Sequence, residues 1–333
     1  MINMWRAVPD RAPPRILAGS GRSGTTWILD ALAEANELRP VFEPLHPSTS
    51  AIGRTWAGRW LDADDEVPEL AAWLEQVCHG AFRQWWADYR VRTDRLRPST
   101  ALLRDRVAAI EFARRWRKLW RQRRTGRKRL RRPERLVKLI RANLMLPWLA
   151  RGFGARCVLL VRHPGAVVES QLRLGGDDWA PVDQLGRYLA DPVLGERLPP
   201  AYRAVASELA NQPASAAALN WCIENELRAA DYVSAGVPYV HYEHLQAGDE
   251  GAWSLLLASL GLDQRPVIED LRRPSQQAAV RWDPATSGDW SARLDSATAA
   301  RIDEVLQAVH ARLYRMRDPV PLLALARSGP GTV

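Results

Sequence analysis

The chain has 333 residues, of which 47% are hydrophobic and 26% are charged, and its formal net charge is +9. These proportions are typical of a globular protein and exclude a disordered or fibrous chain. No apolar run approaches the roughly 20 residues that a membrane-spanning helix needs, and residues 1–14 lack the apolar stretch of a secretory signal, so we expect a cytoplasmic protein.

In chain order, short apolar runs that predict strands alternate with stretches of helical pattern. The first strand, Arg15–Gly19, precedes a loop rich in glycine and serine and a helix from Thr25 to about Glu37. Residues 65–124 are mostly helical in pattern. The later predicted strands are Val41–Glu43, Arg135–Ile140, Arg156–Val161 and Tyr239–Tyr242, and the last predicted helices cover about 244–260 and 295–315.

This alternation favours an α/β protein in which helices cover both faces of a central parallel sheet, a three-layer sandwich. We predict one domain over residues 15–320, with an N-terminal arm at 1–14 and a C-terminal tail at 321–333. A helical and basic insertion is expected at about 54–133.

The three cysteines are odd in number, widely spaced and set in apolar or helical contexts. They are Cys78, Cys157 and Cys222. This pattern predicts buried, reduced thiols, and neither a disulfide framework nor a zinc site.

The loop after the first strand suits a phosphate group. It runs Gly19-Ser20-Gly21-Arg22-Ser23-Gly24-Thr25-Thr26-Trp27. Glycines let the backbone turn tightly and bring its N–H groups close to a ligand. The helix that follows offers unpaired N–H donors and the positive end of its dipole.

Two known nucleotide-binding patterns match parts of this loop, which is otherwise a tight strand–helix turn. Gly19, Gly21 and Gly24 match the dinucleotide pattern G-x-G-x-x-G, and Glu43 lies about 20 residues further on. Gly19 and Gly24 also match the outer frame of a nucleoside triphosphate P-loop. Thr25, however, occupies the place of the P-loop lysine, which argues against a triphosphate with Mg²⁺.

A third interpretation is a nucleotide whose 5′ end carries one phosphate and a transferable group. Arg22 would then supply the fixed positive charge. Ser23, Thr25 and Thr26 would add hydroxyl donors.

A second pattern follows the strand Arg156–Val161. Arg162 stands at the carboxyl end of this strand, where parallel α/β sheets bind ligands. Ser170 lies eight residues later, about two turns into the helix that Pro164 opens. An arginine fork and a hydroxyl group together can hold a second phosphate.

Together the two patterns resemble the sulfotransferase superfamily that uses 3′-phosphoadenosine 5′-phosphosulfate, whose fold is P-loop-like. Ser20 to Trp27 resembles that family's 5′-phosphosulfate loop, in which a basic residue precedes Ser-Gly-Thr-Thr-Trp. Arg162 and Ser170 match the arginine and serine that hold the 3′-phosphate there. The resemblance implies adenosine 3′,5′-bisphosphate as a product. The implied cofactor-binding residues are Gly21, Arg22, Ser23, Gly24, Thr25, Thr26, Trp27, Arg162 and Ser170.

Further segments resemble the carbohydrate sulfotransferases in particular. Phe42-Glu43-Pro44-Leu45-His46 resembles their FEPL segment, Lys138 resembles their third-strand lysine, and His241–Leu245 resembles a later strand–helix junction. Two departures stand beside these similarities. Arg22 replaces the lysine that is usual in small-molecule members, and the C-terminal Arg-Lys-Gly segment has no convincing copy, although residues 287–290 fall near its place.

Sulfuryl transfer needs an in-line acceptor and stabilisation of the charge that moves onto the leaving phosphate. Cationic side chains and backbone donors can do this without a metal ion. We expect Arg22 to act electrostatically, because a guanidinium does not readily donate a proton. Lys138 is expected to share that role or to supply the acid.

The acceptor hydroxyl needs a base within hydrogen-bond reach. Glu43 is the first candidate, because it ends the second predicted strand beside the loop and resembles the glutamate base of glycosaminoglycan-type members. Its alternative role is an ion pair with Arg22 or Lys138. His46 is the second candidate, because the usual histidine pKa of about 6.5 suits a base; it is otherwise an ordinary loop histidine.

The resemblance implies a hydroxyl group of a carbohydrate, glycolipid or lipid-like small molecule as the acceptor. Trp27 is expected either to stack on the adenine or to belong to the core. The tryptophans that fall where this family builds its acceptor site, and that are otherwise core residues, are Trp56, Trp60, Trp85 and Trp86. Other functions remain open: a P-loop-like nucleotide kinase or NTPase, a dinucleotide oxidoreductase, and a non-catalytic basic protein that binds membranes or polyanions.

The net charge comes from one basic segment, residues 112–133, which holds 12 Lys and Arg and no acidic residue. Removing these 12 charges from the net +9 leaves −3. Phe112, Trp116 and Trp120 recur at helix spacing. The segment is typical of a solvated helix, of an interfacial helix on anionic lipid, or of a surface that attracts an anionic polysaccharide or cofactor. No nucleic-acid-reading module accompanies it, so we expect no nucleic acid partner and, at most, peripheral contact with the inner membrane face.

Overall fold

Five strands form one parallel sheet in this computed structural model, which describes residues 11–84, 87–88, 128, 130–176, 180–209, 211–267, 290–318 and 321. The strand order is β2-β3-β1-β4-β5. The strands are β1 (Arg15–Gly19), β2 (Arg39–Phe42), β3 (Arg135–Leu139), β4 (Arg156–Val161) and β5 (Tyr239–His241). β1 therefore lies in the centre, between β3 and β4.

The register places the two predicted phosphate-binding patterns side by side. In the β1–β4 pair, Gly19 is opposite Leu160, so both strands end at the same edge of the sheet. The glycine loop leaves β1 there, and Arg162 leaves β4 there. Lys138 of β3 is opposite Leu17, near the same edge.

Twelve α-helices surround the sheet in the described part of the chain, and six of them begin at proline, which suits the first helical position. Short 3₁₀ or π-helical turns occur at Asn143–Met145, Trp148–Gly152 and Ser291–Arg293. The helices are α1 (Thr25–Ala35), α2 (Ala51–Trp56), α3 (Pro68–Cys78), α4 (Pro164–Leu174), α5 (Pro181–Leu189), α6 (Pro192–Arg197), α7 (Pro200–Leu209), α8 (Pro213–Asn225), α9 (Ala229–Ser234), α10 (Tyr242–Ala247), α11 (Glu250–Leu260) and α12 (Ser296–Ala308).

Alternate strand residues enter two different hydrophobic clusters, one on each face of the sheet. On one face, Ile16, Val137 and Leu159 pack with residues of α3, α4, α5, α8 and α12. On the other face, Leu17 and Val158 pack with residues of α1 and α11. The predicted α/β class with a parallel sheet is confirmed, and its coverage on both faces is compatible with a three-layer sandwich.

Several predicted boundaries are wrong. The helix predicted at about 244–260 is two helices, α10 and α11, and the one predicted over 295–315 ends at Ala308. Three predicted strands end one residue too late, beside the candidate site: β3 ends at Leu139 instead of Ile140. β2 ends at Phe42, so Glu43 lies just beyond the strand. β5 ends at His241, and Tyr242 is the first residue of α10. The buried state predicted for Cys78, Cys157 and Cys222 is confirmed.

Several predictions concern residues outside the described ranges. These are residues 1–10 of the N-terminal arm, Trp85 and Trp86, most of the basic segment and of the predicted insertion, residues 287–289, and all but residue 321 of the C-terminal tail. In the described ranges no helix is both long enough and apolar enough to cross a membrane.

Candidate functional site

The loop between β1 and α1 is held in a tight turn by its own hydrogen bonds. The Ser20 carbonyl accepts from the Ser23 N–H at 3.1 Å and from the Ser23 hydroxyl at 2.7 Å. Gly24, with a φ of 90°, caps α1, and its carbonyl accepts from the Trp27 N–H at 3.0 Å. Gly24 must be glycine, because a Cβ there would lie 2.4 Å from the ring of Tyr242.

The start of α1 supplies donors that can face an anion. Thr25 and Thr26 are its first two residues, and backbone N–H groups in the first helical turn have no acceptor within the helix. Thr25 is buried and Thr26 is half-buried. Because the Ser23 hydroxyl donates within the loop, the backbone donors carry more of the anion-binding capacity than the sequence indicates.

The two motifs, 148 residues apart in sequence, are joined by direct hydrogen bonds. Arg22 Nε donates to Ser170 Oγ at 3.0 Å. Arg162 Nη1 donates to the Arg22 carbonyl at 3.2 Å. Next to Ser170 on α4, Gln171 Nε2 donates to the Gly21 carbonyl at 3.0 Å. Arg22, expected at the 5′-phosphate, thus contacts the serine that was expected at the 3′-phosphate.

Positive charge is concentrated around this junction. Burial lowers the pKa of Arg22, and the charges of Arg162 and Arg173 lower it further. The buried Glu169 accepts from Arg173 Nε at 2.8 Å and from Arg293 Nε at 3.1 Å. Arg173 and Arg293 are thus paired with Glu169, and Arg22 and Arg162 add two further guanidinium groups close by. Positive charge of this kind attracts anions.

Glu43 and Lys138 form a buried ion pair. Lys138 Nζ lies 3.5 Å from Glu43 Oε1, which also accepts from the Ile140 N–H at 2.6 Å, and Arg141 Nη1 lies 3.4 Å from Glu43 Oε2. Lys138 Nζ is also 3.9 Å from the centre of the Phe42 ring. Burial lowers the pKa of Lys138 to about 8, although the charge of Glu43 acts in the opposite direction.

Two of the predicted catalytic residues have strained backbones. Arg22 has a φ of 76° and Glu43 a φ of 44°, and such left-handed conformations are costly for residues other than glycine. Strain of this kind tends to occur at functional sites, where the surrounding structure holds it. The strain favours a functional role for both residues.

His46 is buried, and its ring contacts Ser48. The Ser48 N–H lies 3.2 Å from His46 Nδ1, and the Ser48 hydroxyl lies 2.7 Å from the same atom. Because the N–H can only donate, Nδ1 is an acceptor and the neutral ring carries its proton on Nε2. The one lone pair that this tautomer offers to a substrate proton is therefore engaged by Ser48.

Aromatic groups border the loop on the side of α10. Trp27 packs against the Tyr242 ring with centroids 5.6 Å apart, and Arg162 stacks on the same ring at 4.7 Å. Trp27 is half-buried at the edge of the core that contains α1 and α11. Trp56 and Trp60, the described members of the predicted acceptor-site set, line a cleft of about 480 Å³ with Arg59, Asp62 and Asp191, among others.

Several residues that hold the loop were missed in the sequence. Besides Gln171 and Tyr242, they include Asn225, whose Nδ2 donates to Ser20 Oγ at 2.7 Å, and Trp221, whose Nε1 donates to the Arg162 carbonyl at 3.0 Å. The sequence did contain one signal for these residues: α8 is otherwise apolar but includes polar residues. A buried polar group needs a hydrogen-bond partner, so such residues indicate contacts with another part of the chain.

The C-terminal part of the chain also reaches the end of β4. The His163 ring stacks on Trp290 with centroids 4.4 Å apart, and Glu243 accepts from both the His163 N–H at 2.8 Å and the Tyr314 hydroxyl at 2.7 Å. Burial lowers the pKa of His163 to about 4, so its ring is neutral at pH 7. Trp290 belongs to the four-residue stretch that the sequence placed near the missing C-terminal segment.

No family model, no curated protein sequence and no solved structure matches this chain. The fold and the site define an α/β protein with a parallel sheet, in which the glycine loop after the central strand carries Arg22 and contacts Arg162.

Proposed function

We propose that this protein transfers the sulfuryl group of 3′-phosphoadenosine 5′-phosphosulfate to a hydroxyl group of a carbohydrate, glycolipid or lipid-like acceptor. The proposal rests on one observation: the glycine loop and the strand-end pair Arg162 and Ser170 converge through the Arg22–Ser170 hydrogen bond. A nucleotide with phosphates on both its 3′ and 5′ positions matches two adjacent anion sites better than a triphosphate does. Thr25 in the place of the P-loop lysine supports the same choice.

The described residues fit such a donor. The N–H groups at the start of α1 and the side chain of Arg22 would hold the 5′ end, and Arg162 with Ser170 would hold the 3′-phosphate. When bound, the donor supplies an activated sulfuryl group and a bisphosphate leaving group. We assign the loop its P-loop-like role on this basis.

Glu43 is the proposed base, and Lys138 is the proposed partner of the leaving phosphate. Glu43 would take the proton of the acceptor hydroxyl, whose oxygen then forms the new bond to sulfur as the bond between sulfur and the 5′-phosphate oxygen breaks. Arg22 and Lys138 would stabilise the charge on that oxygen. His46 ranks second as base, because Ser48 engages the single lone pair of its neutral ring. A carboxylate oxygen has two lone pairs, so Glu43 Oε2 can accept a further hydrogen bond beside its contact with Arg141.

A thermal-shift series with adenosine 3′,5′-bisphosphate, ATP–Mg²⁺ and NAD tests the nucleotide class. We expect stabilisation by the bisphosphate and a much smaller effect of the other two. Stabilisation by ATP–Mg²⁺ alone would indicate a kinase or NTPase, and stabilisation by NAD alone would indicate an oxidoreductase. No response to any nucleotide would favour a non-catalytic protein.

Variants then test the 3′-phosphate assignment by calorimetry. Arg162→Ala and Ser170→Ala should each weaken bisphosphate binding by about tenfold or more, because each removes a hydrogen bond to a charged group. The controls are Arg265→Ala, whose guanidinium contacts Glu250, and Ser259→Ala, whose hydroxyl donates to Leu255 within α11. Equal affinities in all four variants would remove the assignment.

A further inference from the structure

Beneath the glycine loop lies a buried carboxyl group, Glu224, that the proposed reaction does not use. Glu224 is the penultimate residue of α8, a helix in which 12 of 13 residues are buried. Glu224 Oε1 accepts from the Tyr188 hydroxyl at 2.8 Å and from Gln184 Nε2 at 2.5 Å. The carboxyl group also forms a hydrogen bond with the side chain of Ser20.

The direction of this last hydrogen bond follows from the other partner of Ser20. The Ser20 hydroxyl accepts from Asn225 Nδ2 at 2.7 Å, so its single proton is available for donation to Glu224. The Ser20 carbonyl accepts both hydrogen bonds from Ser23 that close the turn. Through these hydrogen bonds, Glu224 and Asn225 fix the position of Ser20, the first residue of the turn.

In the described part of the chain, the groups that act on this carboxyl group come from four places. They are Ser20 from the loop, Tyr188 and Gln184 from α5, Tyr232 from α9, and Arg141, which follows β3. Burial raises the pKa of Glu224, while these hydrogen bonds and the charge of Arg141 act in the opposite direction. Arg141 also contacts Glu43, so this one guanidinium links the proposed base with the carboxyl group beneath the loop.

We propose that Glu224 is a positioning residue that, in its ionised form, fixes the Ser20–Gly24 turn in the conformation that binds a phosphate group. The ligand part of this inference rests on the proposed function. Ionised Glu224 accepts the Ser20 proton, whereas protonated Glu224 loses acceptor capacity and competes with Asn225 as a donor to the same oxygen. Anion affinity should therefore fall as the pH falls through the pKa of Glu224.

The test compares Glu224→Gln with Glu226→Gln in two measurements. Glu226 is a matched control, because it is also buried beside the end of α8 but accepts from the N–H groups of Arg312, at 2.6 Å, and Leu313, at 3.0 Å. The first measurement is hydrogen exchange of the amides of residues 20–24 without ligand. The second is calorimetric binding of adenosine 3′,5′-bisphosphate between pH 5.5 and 8.5.

We expect Glu224→Gln to raise exchange of the turn amides at least fivefold and to weaken binding about tenfold at pH 7.5. The affinity of Glu224→Gln for the bisphosphate should then change with pH only because the phosphate groups of the ligand titrate. Glu226→Gln should keep the wild-type exchange and pH profile, and Ser20→Ala should reproduce the flattened profile if Glu224→Gln does not fold. Equal exchange in Glu224→Gln and the wild type would overturn the inference.

The measurements distinguish a failure of the proposed function from a failure of the positioning role of Glu224. If the wild type does not bind the bisphosphate, the proposed function fails, and the exchange data still decide whether Glu224 fixes the turn. If the wild type binds it and Glu224→Gln binds equally well with the same pH profile, Glu224 has no positioning role and the proposed function stands.

Discussion

Lys138 differs from the other cations of the site in that its charge changes near neutral pH. Arginine stays protonated under all ordinary conditions, whereas burial brings the pKa of Lys138 to about 8. Lys138 is therefore protonated below that pH and largely neutral above it. Of the proposed cations, it alone can give a proton to a leaving group.

The pH dependence of kcat should show the titration of Lys138. In the wild type we expect kcat to fall as the pH rises through about 8, because the neutral amine no longer stabilises the leaving phosphate. Lys138→Arg should have lower activity but should lose this decline, since the guanidinium remains charged. A decline of the same shape in wild type and variant would assign it to another group.

A second experiment distinguishes the two candidate bases. We expect Glu43→Gln to lower kcat by about 100-fold or more, the usual loss for a general base, and His46→Ala to lower it much less, because Ser48 engages His46 Nδ1. Glu134→Gln, an exposed carboxylate paired with Arg15, serves as the control. A dead His46→Ala beside an active Glu43→Gln would reverse the ranking.

Among individual residues, the sequence identifies the candidate ligand-binding side chains but not the residues that fix their positions. Arg22, Arg162 and Ser170 stand in recognisable spacings beside a strand end. Asn225 and Glu224 reach the loop from about 200 residues away in sequence, and nothing local links them to Ser20. Such partners depend on how helices pack, which a single sequence does not reveal.

The element that positions the site most directly is α4. Its residues hold the loop through Ser170 and Gln171, and its start packs closely against the C-terminal part of the chain. A Cβ at Gly165 would lie 2.4 Å from the Trp290 ring and 2.9 Å from Met316 Cε. The contact between these elements therefore requires glycine in the first turn of the helix.

A pair of glycine substitutions should have opposite effects on stability. Alanine is about 1 kcal/mol more favourable than glycine inside a helix. Gly186→Ala on α5 meets no atom within 4 Å and should raise the melting temperature, whereas Gly165→Ala should lower it because Trp290 must move. Thermal unfolding followed by circular dichroism measures both. An increase in both variants would show that Trp290 adapts without cost.

Most element positions could be predicted, because apolar runs and capping residues are local signals. β1 and β4 agree with the prediction at both ends, and α1 and α4 begin where the sequence places them. The strand ends at Glu43 and Tyr242 could not be predicted from local signals, because the backbone conformation in the folded protein decides where a strand stops. Glu43 still donates its N–H to the Lys138 carbonyl of β3, but its φ of 44° ends the extended strand. Tyr242 is already the first residue of α10.

On the scale of the whole molecule, the class of fold was predictable and the strand order was not. Alternating strands and helices imply parallel pairing, but five strands can be ordered in several ways. The observed order puts β1 between two strands that follow it by more than 100 residues. That order brings the glycine loop beside the end of β4 and so creates the candidate site.

The basic segment yields a prediction from sequence alone, since most of it lies outside the described residues. If it contacts anionic lipid, the triple variant Arg121→Gln, Arg123→Gln, Arg124→Gln should weaken sedimentation with phosphatidylglycerol vesicles about 100-fold, at about 1 kcal/mol per charge. The matched control neutralises three exposed arginines elsewhere, Arg187, Arg203 and Arg301. Equal loss in both triple variants, or no binding by the wild type, would contradict a specific role.

The strand order also has a consequence for how the chain is made. A ribosome releases β1 and β2 first, yet in the sheet they do not pair with each other: β2 pairs with β3, and β1 pairs with β3 and β4. Neither strand can join its sheet until residue 135 has been translated. Unpaired strand edges invite association with other chains, so we expect the yield in cells to depend on chaperone supply until the ribosome has passed β3.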